Sequence, residues 1–438
     1  MGRILLRQLV GHSLAHEQGD GRPKKSENAR LKRVIISGVG AVSGLGGDVP
    51  SLIEGIRQGR SAVRFMDGWD ELTGLKSLVA APAELVNPKA IPRKYRRTMG
   101  RMSLFAAQAA QQALKDARIE DEARTSGRMG CIIGSTMGGA QSIFEAYDTI
   151  LPERNITNLT STKFFQCVSH TAAMNVAQLL GITGCVMATS AACASALQAI
   201  GVGYDLIRLG RQDLALCGGA EELHPTVTGI FDVLMATSTN YNNEPQKTPR
   251  PFDKDRDGLV CGEGSGMIVL EEYDHARRRE AKVYGEIIGY NTCGSGAHIS
   301  QSNSASIISC LSNAMKDAGI SPADVDYINA HATATLQGDK EEAKAISQIL
   351  GDNVPVSSLK GHIGHTLGAS GALELIVSLA MMAEGAIFPT LNLVNVDPDC
   401  SGPHHVINLL RRKIDIFIKN CFAFGGINAA LVCKKAEN

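Results

Sequence analysis

A cysteine and two histidines lie in small-residue turns that could together form a reactive site. Cys193 lies in "TSAACASALQAI", where small residues give way to an apolar, helix-forming run. His331 lies in "INAHATAT" and His365 in "SSLKGHIGHTLGASGALE", with Lys360 five positions before His365. A thiolate is a nucleophile, and histidines are common partners for it. The alternative for each residue is a structural role, because free cysteine often fills protein cores.

The position of Cys193 distinguishes it from the other ten cysteines. It falls where a strand ends and the helix "ASALQAIGVGYDLIRLG" begins, so we expect its sulfur at a helix N-terminus. Unpaired backbone N–H groups and the positive end of the helix dipole favour thiolate over thiol there. The small neighbouring residues would let a substrate approach closely. Cys193 is therefore the predicted nucleophile.

The HxxH spacing of His362 and His365 raises the alternative of a metal site. The sequence has no HExxH, and no carboxylate at ligand spacing or cysteine pair lies beside these histidines. Zinc sites usually need such further ligands. We expect no metal.

Strands and helices alternate along the chain. The segments "VIISGVGAVS" (34–43) and "MGCIIGS" (129–135) are typical of buried strands, and "SLFAAQAAQQALKDA" (103–117) is typical of an amphipathic helix. Such alternation predicts mostly parallel sheets covered by helices. Functional residues in these sheets gather beyond the carboxyl ends of the strands.

An internal echo indicates a duplicated chain. "ALKDARI" at 113–119 recurs as "AMKDAGI" at 314–320, and each copy leads into a short apolar strand, at 130–134 and 325–330. The strand "GCVMATS" enters a turn and a helix near Cys193, and "VPVSSLK" does so near His365. Chance similarity is the alternative for so short a match. Because both strands lead into a turn and then a helix, the two halves agree in their order of elements, which favours duplication.

Length and composition are those of a soluble globular protein. The 438 residues suffice for a large core, and the zero net charge argues against a chain-wide patch for nucleic acid or a membrane surface. Eleven cysteines without a CxxC pair favour reduced thiols and a cytoplasmic location. The run "LELIVSLAMMAEGAIF" is interrupted by Glu374 and Glu384 and falls short of a bilayer span. Residues 1–32 are expected to form a loose or locally packed extension, with a transit peptide as the less favoured alternative.

Seven stretches, in order, resemble the beta-ketoacyl-[acyl carrier protein] synthases of the thiolase-like superfamily, most of all the elongating type II enzymes. They are "VIISGVGAVSGLG", "CIIGSTMGGA", "SAACASA", "RPFDKDRDGLVCGEGSGMIVLEE", "NAHATATLQGDKEE", "LKGHIGHTLGASGALE" and "NCFAFGGINAALV". The resemblance covers roughly residues 33–435. It implies an α/β fold, the thiolase-like duplicated five-layer αβαβα arrangement. Its N-terminal half, 33–280, would carry the cysteine, and its C-terminal half, 281–438, both histidines.

The resemblance also implies roles for single residues. Cys193 matches the nucleophile that accepts the acyl chain, and His331 and His365 match the pair that faces the malonyl thioester. Phe424 matches a gating aromatic whose backbone N–H joins that of Cys193 in the oxyanion hole. The same match assigns Lys360 to the catalytic set, Glu374 and Asp257 to supporting positions, and Met137, Thr333, Thr335 and Phe424 to substrate binding.

The implied reaction is a decarboxylative Claisen condensation of an acyl thioester with malonyl-[acyl carrier protein]. It gives a 3-oxoacyl-[acyl carrier protein] two carbons longer, as in fatty-acid synthesis. Backbone donors would stabilise the oxyanion of acyl transfer by about 3 kcal/mol each, and the two histidines would hold the enolate oxygen left by decarboxylation. No cofactor is expected, because the thioester activates the carbon. The implied partners are acyl carrier protein and a second copy of the chain in a homodimer, with no nucleic acid or membrane.

The sequence departs from the family pattern at four small positions. Ala332 and Ala334 replace the usual glycine and serine of the first histidine motif, and Leu336 replaces a proline. Ala423 replaces the glycine before the gating phenylalanine, and it is expected to stiffen the gate because alanine reaches positive φ less easily. These changes bear on substrate preference and gate motion rather than on reaction type.

Three rival functions use a similar framework. A non-catalytic partner subunit of a polyketide system typically lacks the nucleophile, whereas Cys193, His331 and His365 are all present here. A degradative thiolase usually carries a C-terminal CxG motif in place of the two histidines. A ketosynthase of a secondary-metabolite pathway, making polyketides or polyenes, stays open as the alternative.

One basic run predicts a docking surface for the carrier protein, since carrier proteins of this pathway are acidic. The alternative is an ordinary solvated face. The run "PRKYRRTMGR" contains no acid and five basic residues, Arg93, Lys94, Arg96, Arg97 and Arg101.

Met137, in "GSTMGG", matches the far end of the family's acyl pocket. A flexible thioether can yield to long chains, so Met137 is predicted to limit chain length. Plain core packing is the alternative.

Overall fold

The computed structural model describes residues 31–297 and 303–436; residues 1–30 of the predicted extension lie outside the described residues. The described strands are β1 Val34–Val42, β2 Arg64–Phe65, β3 Val79–Ala80, β4 Met129–Gly134, β5 Val186–Thr189, β6 Leu214–Glu221, β7 Gly264–Glu272, β8 Gly285–Gly294, β9 Tyr327–Asn329, β10 Pro355–Ser357, β11 Ala386–Ile387, β12 His404–His405, β13 Leu410–Arg411, β14 Ile416–Ala423 and β15 Ile427–Lys434. The described α-helices are α1 Val49–Arg57, α2 Arg93–Arg96, α3 Arg101–Ala117, α4 Asp121–Thr125, α5 Ala140–Ile150, α6 Thr162–Cys167, α7 Thr171–Leu180, α8 Ser195–Arg208, α9 Pro225–Val233, α10 Tyr273–Arg278, α11 Ser304–Ala318, α12 Leu336–Leu350, α13 Lys360–Ile363 and α14 Ser370–Glu384.

The predicted elements are confirmed with changes at their ends. Strands β1 and β4 and helix α3 correspond to the segments predicted at 34–43, 129–135 and 103–117. The helix predicted near His365 is divided into α13 before it and α14 after it. The break follows from Gly364, whose φ of +66° ends α13.

Ten strands form two sets with the same order and directions. The first set is β5-β4-β6-β7-β1, and the second is β10-β9-β14-β15-β8. In each set three neighbours run parallel, and the fourth strand is antiparallel to both of its neighbours. Strands β1 and β8 pair antiparallel, which joins the sets within one 11-stranded sheet of the described residues. This topology is that of a duplicated unit.

The internal echo marks the equivalent helices α3 and α11. A Cβ on Gly38 of β1 would lie 2.4 Å from the carbonyl oxygen of Ala113, so only glycine permits this close packing. A Cβ on Gly289 of β8 would lie 2.4 Å from the carbonyl oxygen of Ala314, the residue equivalent to Ala113. Each helix therefore packs onto a glycine in the strand of its set that comes first in the sequence.

The aspartates of the echo make equivalent hydrogen bonds. Asp116 accepts from the Val39 N–H at 3.0 Å, and Asp317 accepts from the Tyr290 N–H at 3.1 Å. The aspartate of the repeated "KDA" sequence thus ties each helix to the same place on its strand set.

Helices cover and separate the two strand sets. α3 and α7 pack on the first set, α11 and α12 lie with the second, and α8 and α14 form the layer between them. The largest apolar cluster includes Leu197 and Ile200 of α8 and Leu375 of α14. Two further clusters lie under α3 and under α11. The predicted five-layer arrangement is confirmed.

One helical run of the described residues, Leu367–Glu384, is long and apolar enough to cross a membrane by length and composition. It was expected to fall short of this length. It includes the central helix α14, and 83% of it is buried within the protein. Its apolar character therefore fits its interior position.

Candidate active site

Three turns that follow strands bring the predicted catalytic residues together. Cys193 follows β5, His331 follows β9, and His365 follows β10 and α13. The Nε2 atom of His365 lies 2.9 Å from the Sγ atom of Cys193, and the two histidine ring centroids are 5.2 Å apart. All three side chains are buried. His331 lies 138 positions after Cys193, and His365 lies 34 positions after His331. The turns that follow β5, β9 and β10 thus bring together residues that are remote in sequence.

The cysteine turn is fixed by a strained alanine and a serine. Ala192 has a φ of +45°, which costs a non-glycine residue about 1 kcal/mol. The hydroxyl of Ser195 accepts from the Ala191 N–H and donates to the Ala192 carbonyl. Helix α8 begins at Ser195, so Cys193 precedes its first turn.

Burial controls the protonation of Cys193. It raises the pKa of the thiol to about 12, although the nearby Lys360 charge acts in the opposite direction. This result differs from the expectation that a helix N-terminus holds a thiolate, because removing the sulfur from water disfavours the charged form more strongly. The thiol is protonated at neutral pH and needs a base.

His365 lies where that base is required. Its Nδ1 atom is 3.0 Å from the Ser370 Oγ atom, and its Nε2 atom faces Cys193. When Nδ1 donates its proton to Ser370, Nε2 is free to accept the thiol proton. Burial, and then the Lys360 and Lys419 charges, lower the pKa of His365 well below its ordinary value. The ring is therefore neutral at neutral pH.

His331 is held through its backbone. Glu342 accepts from the His331 N–H at 2.7 Å and from the Ala332 N–H at 2.6 Å. Burial, and then the Lys360 charge, lower the pKa of the His331 imidazole well below its ordinary value. Its Nδ1 atom is buried without a hydrogen-bond partner among the described residues. The ring is thus neutral, and Glu342 fixes the backbone that carries it.

A buried ion cluster lies behind the two histidines. Glu374 approaches the Nζ atom of Lys360 with Oε1 and that of Lys419 with Oε2, each at 2.6 Å. All three side chains are completely buried. Burial is the largest single effect on the pKa of Lys419 and lowers it, but Glu374, Cys421 and Glu342 together raise that pKa above its ordinary value, so this ammonium keeps its charge.

The sequence matches two family models over most of its length. "Beta-ketoacyl synthase, N-terminal domain" matches residues 31–276, and "Beta-ketoacyl synthase, C-terminal domain" matches residues 284–394. The chain belongs to the beta-ketoacyl synthase family. It is therefore an acyl-transferring enzyme, and the predicted thiolase-like α/β fold is confirmed.

Relatives of this synthase cover nearly the whole chain. It is 34% identical over 412 residues to 3-oxoacyl-[acyl-carrier-protein] synthase 1 of Escherichia coli (strain K12), over 93% of this chain and 100% of that protein. The crystal structure of a beta-ketoacyl synthase from Burkholderia phymatum superposes with a TM-score of 0.90 at 41% identity, over 93% and 100% of the two chains. A type II PKS ketosynthase in complex with its acyl-carrier protein superposes with a TM-score of 0.85 at 31% identity, with the same coverage.

A cavity of about 330 Å³ opens onto Cys193, His331 and His365, the predicted catalytic residues. Thr333, Thr335 and Phe424 line it, as expected of substrate-binding residues. Asp257 also lines it, and its carboxylate accepts from the N–H groups of Thr239 and Asn240. Asp257 therefore braces a wall of the cavity.

The departures from the family pattern are accommodated by the backbone. Ala334 has a φ of +69°, and its N–H donates to Asp339. Leu336 lines the cavity and is 63% exposed. Ala423 is the last paired residue of β14, and the left-handed positions of that turn are the glycines at 425 and 426. The effect of Ala423 on the gate stays a prediction.

Met137 lies between the predicted nucleophile, Cys193, and a second cavity. Its side chain packs against the small apolar cluster that contains Cys193 and Val227. It also lines a cavity of about 540 Å³ together with Ile143, Phe144 and others of α5. The structure thus places Met137 between the thiol and an apolar space.

The basic run divides into exposed and engaged residues. Arg93, Lys94 and Arg97 are exposed, and Arg96 is half-buried with a bond to the Pro88 carbonyl. Within the described chain none of these four forms an ion pair, whereas Arg101 pairs with the buried carboxylate of Glu263 at 2.7 Å. Arg101 therefore has a structural partner, and the predicted docking residues are Arg93, Lys94, Arg96 and Arg97.

The HxxH pair does not converge on a metal. The ring nitrogens of His362 lie near the carbonyls of Arg60 and Pro389, away from His365. Among the described residues, the donors close enough to share an ion are instead Cys193, His331 and His365, within 4.8 Å of one another. Within this cluster, Nε2 of His365 lies 2.9 Å from the Cys193 thiol.

Four residues of the site escaped the sequence analysis: Glu221, Glu342, Ser370 and Lys419. Glu221, completely buried, accepts from the N–H groups of Met137 and Gly368 and so joins the cysteine side to the histidine side. Its position, like that of Glu342, depends on contacts remote in sequence. A lysine inside the apolar strand "IFIKNCFA" was the one signal that could have been noticed.

Proposed function

We propose that the chain condenses an acyl thioester with malonyl-[acyl carrier protein] and releases CO₂ and a 3-oxoacyl-[acyl carrier protein]. The observation that carries this proposal is the convergence of a protonated thiol, a neutral imidazole at 2.9 Å and a second neutral imidazole beside it. The E. coli relative at 34% identity is named as a synthase of this kind.

The first half-reaction transfers the acyl group to Cys193. As Sγ attacks the thioester carbonyl, its proton passes to Nε2 of His365, and the leaving carrier thiolate then takes that proton. The backbone N–H groups of Cys193 and Phe424 would hold the oxyanion. The acyl-enzyme and a free carrier thiol are the products.

The second half-reaction forms the carbon–carbon bond. When the malonyl group loses CO₂, the bonding pair becomes an enolate, whose oxygen accepts from His331 and from Nε2 of His365. Before decarboxylation, the neutral His365 ring loses its Nδ1 proton to solvent and takes one up on Nε2, so that Nε2 can donate to the enolate. The Ser370 hydroxyl fits both tautomers, because it can either accept from Nδ1 or donate to it. The enolate carbon then attacks the acyl thioester, Sγ leaves, and one proton taken up from water restores the thiol.

Fatty-acid elongation is favoured over the alternatives. The presence of all three catalytic residues in contact disfavours a non-catalytic partner subunit, and the paired histidines disfavour a degradative thiolase. A role in polyketide or polyene synthesis is less supported, because the curated relatives at 34% and 33% identity are named 3-oxoacyl-[acyl-carrier-protein] synthases 1 and 2.

The acyl chain would run past Met137 into the apolar cavity along α5. Phosphopantetheine would occupy the other cavity, between Phe424, Thr333 and Thr335. The carrier protein, which is acidic, would dock on Arg93, Lys94, Arg96 and Arg97. The solved relative in complex with an acyl-carrier protein supports such a partner.

A homodimer would cover the free edge of the sheet. Strand β5 ends the sheet order, and its Val186 and Met187 are 45% and 42% exposed. An unpaired apolar edge strand invites pairing with a second copy. Sedimentation should therefore show a dimer that Val186→Lys weakens; a monomeric native protein would refute this assembly. A cytoplasmic location is proposed from the eleven free cysteines.

An assay with malonyl carrier protein and a ladder of acyl carrier proteins tests the function. Products sized by mass spectrometry should be 3-oxoacyl carrier proteins two carbons longer than each accepted primer. If the malonyl substrate kept its CO₂, the chain would have no synthase activity. If products grew by repeated extension on one enzyme, the polyketide alternative would be favoured over elongation.

A further inference from the structure

Lys419 is a completely buried lysine that the reaction described above does not use. It lies in β14, within the apolar sequence "IFIKNCFA". Buried lysines are rare unless they are paired, because taking an ammonium out of water is costly. The contacts of the Lys419 ammonium group therefore explain how its charge is stabilised in the interior.

The contacts of Lys419 join the two histidine segments. Its Nζ atom lies 2.6 Å from Oε2 of Glu374, in the helix whose first residue contacts Nδ1 of His365. The same atom lies 3.4 Å and 3.5 Å from the carbonyl oxygens of Asn329 and Ala330. These are the two carbonyls directly before His331. One ammonium thus links the backbone that carries His331 to the helix that orients His365.

The surroundings of Lys419 hold balanced charge. Two basic side chains, Lys360 and Lys419, lie with two acidic ones, Glu374 and Glu342, and removing the charge of Lys419 takes one positive charge from this buried group. The titratable groups that share this interior are Lys360 of α13, Glu374 of α14, Glu342 of α12, Tyr327 of β9, Cys421 of β14, and the site residues Cys193, His331 and His365.

We propose that Lys419 is a positioning residue for decarboxylation: its ammonium fixes the His331 segment against Glu374 and supplies the positive charge that favours the enolate between the histidines. The inference rests on the proposed condensation. Charge interactions are strong in a site without water, and a fixed cation needs no rearrangement as the anion forms. Acyl transfer to Cys193 depends less on Lys419, since it begins and ends with neutral groups.

The charge also keeps the imidazoles neutral. Burial is the largest cause of their lowered pKa values, and the Lys419 ammonium adds to it for both His331 and His365. Removing that ammonium makes each imidazole easier to protonate. The acidic limb of the pH–rate profile for CO₂ release should then move to higher pH.

The test compares Lys419→Met with Lys413→Met on the full-length enzyme. Lys413 precedes the same strand but forms a surface ion pair with Asp415, so its variant controls for the substitution itself. Lys419→Arg keeps the charge and should restore part of the activity. Should Lys419→Met fail to fold by circular dichroism, Lys419→Gln, which retains a hydrogen-bond donor, carries the same test.

For Lys419→Met we expect CO₂ release from malonyl carrier protein to fall on the order of tenfold, with acylation of Cys193 almost unchanged. Its acidic limb should shift upward by roughly one pH unit. An unshifted limb, or equal losses in acylation and CO₂ release, would overturn the positioning role. Failure of the native enzyme to release CO₂ would instead refute the proposed condensation, so the two failures are distinguishable.

Discussion

The cysteine side and the histidine side of the site differ sharply in their surroundings. Cys193 packs with Ala140, Val227 and Leu367 in a small apolar cluster. The histidines instead lie in front of four buried charged side chains, Glu342, Lys360, Glu374 and Lys419. In the proposed reaction, the oxyanion of acyl transfer lies at the backbone N–H groups of Cys193 and Phe424, whereas the enolate of decarboxylation lies between the histidines. The duplicated fold therefore provides one apolar and one charged environment, matched to the two half-reactions.

His365 is the residue where these environments meet. Its Nε2 atom contacts the thiol, and its Nδ1 atom contacts α14, the helix that carries Glu374. A residue so placed should matter in both half-reactions, whereas Cys193 and His331 should each matter mainly in one.

Replacing His365 should give the largest loss that affects both steps. His365→Ala should lower condensation on the order of a thousandfold, because both the base for the thiol and a donor to the enolate are removed. Acylation of Cys193 should fall as well as CO₂ release, measured with radiolabelled acyl and malonyl carriers. His404→Ala, an exposed histidine in β12, is the control. Full acylation by His365→Ala would mean that the thiol needs no base from this ring.

Alkylation of Cys193 should report its protonation. With a pKa of about 12, the thiolate fraction rises about tenfold per pH unit across the neutral range, so iodoacetamide labelling from pH 6.5 to 8.5 should rise on the order of a hundredfold. Mass spectrometry of the Cys193 peptide gives the rate, with Cys193→Ala as background. A plateau near pH 7 would support activation by the helix N-terminus instead.

Reversing the charge of the exposed basic residues should weaken binding of the carrier protein moderately. These residues belong neither to the apolar cluster around Cys193 nor to the charged cluster behind the histidines. The double variant Arg93→Glu with Arg97→Glu should raise the KM for carrier-bound substrate about tenfold and leave a short thioester substrate unaffected. Arg411→Glu, an exposed arginine in β13, is the matched control. Similar losses with both kinds of substrate would show that these residues do not dock the carrier protein.

Changing Met137 should give the smallest effect, on product length rather than rate. Met137→Ala enlarges the passage between Cys193 and the cavity along α5, so products should shift toward longer chains. Product lengths are read by mass spectrometry after extended incubation. An unchanged distribution from a folded variant would show that another residue limits the chain.

The apolar side of this comparison was largely predictable from the sequence, and the charged side was not. Small residues before Cys193, the strand-to-helix change after it, and the repeated "KDA" pattern are local features, so they predicted the nucleophile and the duplication. Lys360 and Glu374 were identified through short motifs. Lys419 and Glu342 act through contacts with residues remote in sequence, at Asn329 and His331.

The protonation of Cys193 also escaped prediction for a physical reason. A helix N-terminus can be predicted from sequence, but the burial of one sulfur depends on every layer packed around it. Here burial raises the thiol pKa to about 12, and the 2.9 Å approach of His365 provides the base. Local pattern therefore located the nucleophile, and tertiary packing determined how it is activated.

The central claim, a division of the two half-reactions between cysteine and histidine, is tested most directly by one crossed measurement. Acyl transfer and CO₂ release are measured on the same folded preparations of Cys193→Ala and His331→Ala. The account predicts that Cys193→Ala takes up no acyl group yet still releases CO₂, and that His331→Ala is acylated but releases CO₂ about a hundredfold more slowly. Loss of both activities in each variant, or acylation of Cys193→Ala, would contradict it.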